Sequence, residues 1–452
     1  MSPTNPVAVV ISDIHIGDDA GIVRRQAAKG YSSTGTQDLF IRDTFLEFQE
    51  EVKAIAARMP DKKIPYLILN GDGWDVAIKN LDEVADLSQL FFAALQLDEY
   101  FRQILFLPGN HDHHLWVMLQ TQTCVVRPLE KATGSAAGLS AIAKLVDTKV
   151  QGFPHEQSGV LDLATGKLTI PGVKPPYDGH VFLSGLTGEK HIPINVVYPN
   201  LYLVPAGGGS ASSILVTHGH FFEVAWRLLT EVLAQLLVRE HVRTDLVNLE
   251  MLNSPLTEFF NFSLAQVGPV STLVNRVYNQ VRTGQRPPEL DIALDSVAAY
   301  ADRAIEFHGD NIWSGFVAML KEAGSDAAIK AVKSLVESLL LSALRDAKRG
   351  SLAVSGARHD AQFLDRPGTL DFIDLYITMS RRKQPNLEFA TIVFGHTHEA
   401  FPRRTRQLRE SGEVAFWNTG GLGGADSQCD FMPLAIDGTG RVSPLPLSTQ
   451  PG

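Results

Sequence analysis

The sequence predicts an α/β fold with a polar, metal-binding rim, and three observations carry that prediction. Short apolar runs alternate with stretches of helical period through roughly the first quarter of the chain. Five apolar runs (Val7 to Ile11, Tyr66 to Leu69, Ile104 to Leu107, Ile214 to Val216 and Ile392 to Phe394) are each followed by Asp, His or Asn. Between the fourth and fifth runs, residues 221–350 change to a helical pattern. Strand, helix, strand, helix at such spacing means a sheet with helices packed on it. Buried strands that deliver polar residues from their C-terminal ends place them along one rim.

Taken in order, Val7 to Ile11 is the first strand, and Thr44 to Arg58 is a helix with Phe45, Phe48, Val52 and Ile55 on one face. Tyr66 to Leu69 is the next strand, Leu81 to Arg102 continues the alternation, and Ile104 to Leu107 is a third strand. Residues 113–212 are less regular: Ile170 to Pro176 and Ala206 to Ser210 read as loops. Ile194 to Val204 reads as strand, with Pro199-Asn200 as a turn. In the helical block, Phe222, Trp226, Leu229, Leu233, Leu236 and Leu237 share one face, and Glu223, Arg227 and Glu231 share another. Ala328 to Ala343 repeats the pattern, with Ser325-Asp326 as N-cap and Lys348-Arg349-Gly350 as its stop. Gly284 to Pro288 divides the block. Its ends must return to one rim, so it is read as an insertion or cap. The division is then 1–220 and 351–452 as two parts of one core, with 221–350 inserted between them.

Composition narrows the function classes. A net charge of −10 argues against a nucleic-acid-coating surface, leaving Arg381-Arg382-Lys383 and the group Arg403, Arg404, Arg406 and Arg409 as local basic patches. Cys124 and Cys429 are the two cysteines, which excludes a disulfide framework and a Cys-based zinc site. No apolar run is long enough to span a bilayer; the longest contender, Phe221 to Val238, is broken by Glu223, Arg227, Glu231 and Gln235. Without a signal segment either, a cytoplasmic soluble protein is expected.

Six short strings read as one site: Asp13-Ile14-His15, Gly71-Asp72, Gly109-Asn110-His111-Asp112, His218-Gly219-His220, Gly395-His396-Thr397-His398 and Asn418-Thr419-Gly420. Mixed carboxylate, imidazole and amide donors suit a pair of Mn²⁺, Fe or Zn²⁺ ions better than Mg²⁺ or Ca²⁺, which favour all-oxygen shells. Asp13 and His15, like His396 and His398, are two apart, so an extended backbone would project both to one side. There is no P-loop, since Gly207-Gly208-Gly209 lacks the following Lys, and no G-x-S-x-G elbow.

The order of these strings resembles the calcineurin-like metallophosphoesterase superfamily, whose pattern runs D-x-H, G-D-x-x-D, G-N-H-D, H and G-H-x-H. The G-D-x-x-D here is Gly71 to Asp75, and the resemblance covers about residues 5–220 and 388–425. It implies a double β-sheet sandwich flanked by helices, with metals at the strand ends. It further implies Asp13, His15, Asp72 and His398 around one metal, and Asp72, Asn110, His218 and His396 around the other, with Asp72 bridging. A metal-activated water would attack phosphorus. His111 would stabilise the transition state or protonate the leaving oxygen, and Asp112 would orient its imidazole. Asp75 would support a histidine or metal-bound water, His113, His114 and His220 would be supporting or structural, and the Asn418 turn would shape the rim. Read from the residues themselves, Arg345, Arg349, Arg358 and His359, where the insertion rejoins the core, are expected to form surface salt bridges, with a clamp on a second phosphate or a carboxylate as the alternative.

The expected activity is hydrolysis of a phosphodiester, phosphomonoester or pyrophosphate in a small-molecule or lipid substrate, with the insertion selecting among them. Ser12 to Gly17 is similar to the branch containing UDP-2,3-diacylglucosamine pyrophosphatase. In this chain His111 stands where that branch carries Arg, and the insertion is longer. Two alternatives stay open: a nuclease or cyclic-nucleotide phosphodiesterase, and a non-catalytic interaction scaffold.

Overall fold

A computed structural model describes residues 5–18, 22–23, 31–34, 40–76, 80–123, 156–171, 180–188, 192–207, 213–222, 245–258, 363–365, 369–422 and 430–447. The strands are β1 (Pro6–Ile11), β2 (Ile22–Val23), β3 (Tyr31–Ser33), β4 (Phe40–Arg42), β5 (Ile64–Asn70), β6 (Phe101–Leu107), β7 (Gly159–Asp162) and β8 (Lys167–Thr169). They continue as β9 (Ile194–Val196), β10 (Asn200–Val204), β11 (Ser213–Thr217), β12 (Phe389–Phe394), β13 (Phe401–Leu408), β14 (Gly412–Asn418), β15 (Leu434–Asp437) and β16 (Val442–Pro444). The helices are α1 (Asp43–Ala57), α2 (Leu81–Leu95), α3 (Leu97–Tyr100), α4 (His113–Thr121), α5 (His180–Gly185), α6 (Leu246–Glu258) and α7 (Thr369–Lys383).

The fold is mixed α/β. One sheet runs β16-β15-β1-β5-β6-β9 and a second runs β13-β14-β12-β11-β10-β7-β8, with β2-β4-β3 as a small third sheet. The strands leading to the site motifs are parallel neighbours: β1 with β5 and β5 with β6 in the first sheet, β11 with β12 and β12 with β14 in the second. Their continuous apolar runs follow from burial on both faces. Ala8, Val10, Ile68, Leu105 and Leu107 share one core layer with Leu201, Leu203, Ile214, Val216 and Val393 of the other sheet. The alternate residues turn to the opposite faces. There Val9, Leu67, Leu69 and Phe106 join a cluster with Phe45, Phe48 and Phe91 of α1 and α2, and Ile392 and Phe394 join Phe372, Ile373 and Tyr376 of α7.

Two expectations are refined. The single run Ile194 to Val204 is divided between the sheets, since β9 pairs with β6 and β10 pairs with β11 and β7. The chain changes sheets at the predicted turn. The two core parts on either side of the insertion also interleave, with β1 against β15 and β11 against β12. Of the expected helical block, the described residues are 221–222 and 245–258; the helices expected from 223 to 238 and from 328 to 343, their caps, and Arg345, Arg349, Arg358 and His359 lie outside the described residues. No helix among the described residues is long and apolar enough to cross a membrane.

Candidate metal centre

Five of the seven non-glycine residues with positive φ among those described are expected ligands: Asp13 (52°), His15 (51°), Asp72 (51°), His396 (65°) and His398 (57°). The extended backbone expected for the two D-x-H and H-x-H pairs is therefore replaced by left-handed turns at both members of each pair. Such conformations cost of order 1–3 kcal/mol each and persist only where the surroundings over-determine them. Here the surroundings are backbone bonds between loops. Asp13 N–H donates to the Gly71 carbonyl at 3.0 Å, His15 N–H to Asp72 at 3.0 Å, and Ile16 N–H to Gly73 at 3.0 Å, zipping the loop after β1 onto the loop after β5. His396 N–H donates to Asp13 Oδ2 at 2.9 Å, and Leu422 N–H to the Asp13 carbonyl at 3.0 Å, so one aspartate ties both sheets. Gly71 is at φ 84°, and a Cβ there would lie 2.2 Å from His218 Nδ1; at Gly109 it would lie 2.2 Å from Asp72 Oδ1.

All seven expected ligands converge on this rim. Asp13, His15 and His398 form one group and Asp72, His218 and His396 another, each with ligand atoms within 4.8 Å of one another. Asn110 joins the second, its Oδ1 3.3 Å from His218 Nε2. Asp13 and Asp72 are buried, and no lysine or arginine reaches either carboxylate with a described ion pair. Imidazoles take that place: His218 Nε2 lies 3.2 Å from Asp72 Oδ2 and His398 Nε2 lies 3.4 Å from Asp13 Oδ1. The Nε2 atoms of His15 and His398 face each other at 3.2 Å, so both cannot carry protons along that line. Buried carboxylates with inward-facing imidazole nitrogens form a donor set that fits a divalent cation. Supporting bonds complete it. His218 Nδ1–H donates to the Asn70 carbonyl at 2.9 Å, which leaves Nε2 as the inward atom, and Ser12 Oγ–H donates to Asp13 Oδ2.

The charges follow. Burial would raise the Asp72 carboxyl, but the neighbouring imidazoles of His218 and His111 outweigh it and hold Asp72 well below the usual range. For Asp13 burial wins over the attraction of His218, and its carboxyl is raised. Burial pulls His218 down, yet Asp72 beside it lifts the imidazole to about 9. His398 goes the other way, lowered well below its ordinary value by burial and by His15.

His111 lies beside the ligands, its N–H donating to Asp72 Oδ1 at 2.9 Å. The carboxylate on its imidazole is Asp75, not Asp112 as the sequence reading had it. Asp75 Oδ1 is 3.2 Å from His111 Nδ1, and Oδ2 is 3.1 Å from His15 Nδ1. Asp112 instead accepts from Gly109 N–H at 2.7 Å and from Gly73 N–H at 2.8 Å, with Trp74 N–H at 3.3 Å. The reason is direction: Asp112 stands at the N-cap position of α4 but its side chain makes no capping bond to it, the carboxylate pointing back into the loops, while Asp75 reaches between two rings. Its signal was present in the G-D-x-x-D spacing.

Asn418 ties the last motif, donating to the Gly395 carbonyl at 3.1 Å and Thr397 Oγ1 at 2.9 Å, as a rim-shaping residue should. His220 is buried with its ring 5.5 Å from that of His218, outside both ligand groups. His113 and His114 turn away from the rim toward α6. The two basic patches are partly engaged within the chain, Lys383 with Glu156 at 2.7 Å and Arg406 with Asp365 at 2.9 Å. The chain matches no family model and no curated protein.

Proposed function

We propose that this protein is a metal-dependent phosphoester hydrolase built on a metallophosphoesterase-type sandwich, with two divalent cations on the rim. The observation that supports this best is the convergence of seven motif residues, spread from Asp13 to His398, into two adjacent buried donor groups. Asp13, His15 and His398 would hold one ion and Asn110, His218 and His396 the other, with Asp72 placed to serve both. Bound there, Mn²⁺, Fe or Zn²⁺ would activate a water toward phosphorus and neutralise charge on the phosphoryl oxygens.

The chain's own residues supply the rest. His111 gives its Nδ1–H to Asp75, so the proton it exchanges with substrate is carried at Nε2. That imidazolium stabilises charge on the phosphoryl group and protonates the leaving oxygen, a role worth about 10²–10⁴ in rate. Asp75 holds the His15 and His111 rings apart in an edge-to-face pair with centroids at 4.8 Å. Asp112 fixes the loops after β5 and β6 against each other through three backbone N–H groups. The substrate class is a phosphodiester, phosphomonoester or pyrophosphate, with selection assigned to the chain between His218 and His396.

The test is hydrolysis of bis(p-nitrophenyl) phosphate and p-nitrophenyl phosphate by Mn²⁺-loaded protein beside Asp72→Ala. Turnover of either ester that disappears in the variant supports the reading. No turnover by protein carrying two metals per chain on any activated ester would sink it in favour of a scaffold.

A further inference from the structure

Helix α6 lies within the chain between His218 and His396, and its buried face is unusually polar: Leu246 and Leu249 are accompanied by Glu250, Asn253 and Thr257, all at most 2% exposed. Glu250 and Glu258 are two turns apart, about 12 Å along the axis. The ring of His113 sits between them, Nε2 2.9 Å from Glu250 Oε1 and Nδ1 2.6 Å from Glu258 Oε1. Each carboxylate uses its other oxygen as well. Glu250 Oε2 accepts from Tyr198 O–H at 2.5 Å, and Glu258 Oε2 faces His114 Nδ1 at 2.6 Å. With carboxylate oxygens at both ring nitrogens, His113 carries both protons and is an imidazolium.

A buried charge cluster of this kind is a poor source of stability compared with apolar packing, so its value lies in position. His113 is the first residue of α4, and Asp112, immediately before it, holds Gly73, Trp74 and Gly109. His111 is the residue before that. Tyr198 braces the same helix, its ring 5.6 Å from His113 and 5.5 Å from Trp116.

We propose that Glu250 and Glu258 are positioning residues for His111: the α6 carboxylates clamp His113 and His114, and proton transfer at His111 depends on that docking. The inference rests on the phosphoesterase reading, and its test separates the two. Full-length Mn²⁺-loaded protein, Glu250→Gln, Glu258→Gln and the double variant are compared on bis(p-nitrophenyl) phosphate and diphenyl phosphate. Phenolate is the more basic leaving group and needs the proton more. The double variant is expected to lose about tenfold in kcat on diphenyl phosphate, a fraction of a general acid's full contribution. On the nitrophenyl ester it should change less than about twofold, with KM and bound metal unchanged. Independently of activity, ¹⁵N-histidine spectra of Zn²⁺-loaded wild type should show the His113 imidazole, identified by its loss in His113→Gln, with two slowly exchanging ring N–H protons that are lost in the double variant. Equal losses on both esters, or no change on either, would overturn the clamp while leaving the hydrolase reading intact. A wild type inactive on both esters overturns both. If the double variant fails to fold, Glu258→Gln decides, because that side chain is 19% exposed and its loss strands less buried charge than the loss of Glu250.

Discussion

His218 and His398 each point Nε2 at a buried carboxylate, 3.2 Å from Asp72 and 3.4 Å from Asp13, yet their far sides differ. His218 gives Nδ1–H to the Asn70 carbonyl, whereas the buried His398 Nδ1 has no hydrogen-bond partner among the described residues. The backing carbonyl fixes the tautomer of His218 and makes its inward nitrogen more basic, while His398 is held mainly by its left-handed backbone and its ring neighbours. Burial acts on both, but Asp72 overrides it and lifts His218 to about 9, and nothing comparable rescues His398. The lesson is that one set of residue types yields two unlike donor groups, because the neighbours of each ring set its basicity.

The largest expected effect separates Asp72, proposed to serve both ions, from Asp13, proposed to serve one. Asp72→Ala should bring bound metal below one ion per chain and activity to background, whereas Asp13→Ala should keep one ion, both read by elemental analysis. Two ions retained in Asp72→Ala would end its assignment to both groups. His111→Ala comes next, with kcat lowered about 10²–10⁴ and metal content unchanged. Loss of metal there would make His111 a ligand.

A smaller effect concerns protons. His218 holds a proton up to about pH 9, so a cation entering that group must displace it. Affinity for the more tightly coupled ion should rise about tenfold per pH unit from 7 toward 9 and then level. Calorimetry in buffers of different ionisation enthalpy would register the released proton; a pH-independent affinity would contradict it.

The clamp on α6 supplies a stability test with a defined sign. Burial alone would lower His113, but Glu250 and Glu258 raise it to about 10 from an ordinary value near 6.5. A raised folded pKa contributes stability that is fully present below about 6.5 and is lost as pH rises through 10. Burial would raise Glu258, but the hydrogen bonds from His113 and His114 bring it to about 2; its share is present above about 4.5 and lost as pH falls through 2. Thermal unfolding should therefore show the largest wild-type advantage over the Glu250→Gln, Glu258→Gln double variant between pH 4.5 and 6.5, shrinking toward pH 10. The smallest effect is at the rim's edge. Asn418→Ala leaves the Gly395 carbonyl and Thr397 hydroxyl without its amide and should cost about 1–3 kcal/mol in urea unfolding.

Much of the site was legible because each motif of expected ligands follows an apolar run, and a run buried on both faces has only its ends to offer to solvent or a metal. Asp75 was legible in its spacing and in its support of a histidine, but not in which rings it serves, since its contact with both His15 and His111 depends on how the loops after β1, β5 and β6 stack. Glu250 and Glu258 were not legible at all. Two acids eight residues apart on a helix are ordinary until His113, more than 130 residues earlier, is placed between them.

The sequence by itself determined the strand and helix alternation and the order of the seven candidate donors that the fold brings together, because local period and residue chemistry are written in neighbouring positions. Tertiary structure alone decided which carboxylate serves which imidazole, that the ligand backbones are left-handed rather than extended, and that α6 docks through charge. Those outcomes depend on approach between segments far apart in the chain, where burial and a few ångströms decide whether a carboxylate is raised, lowered or shared.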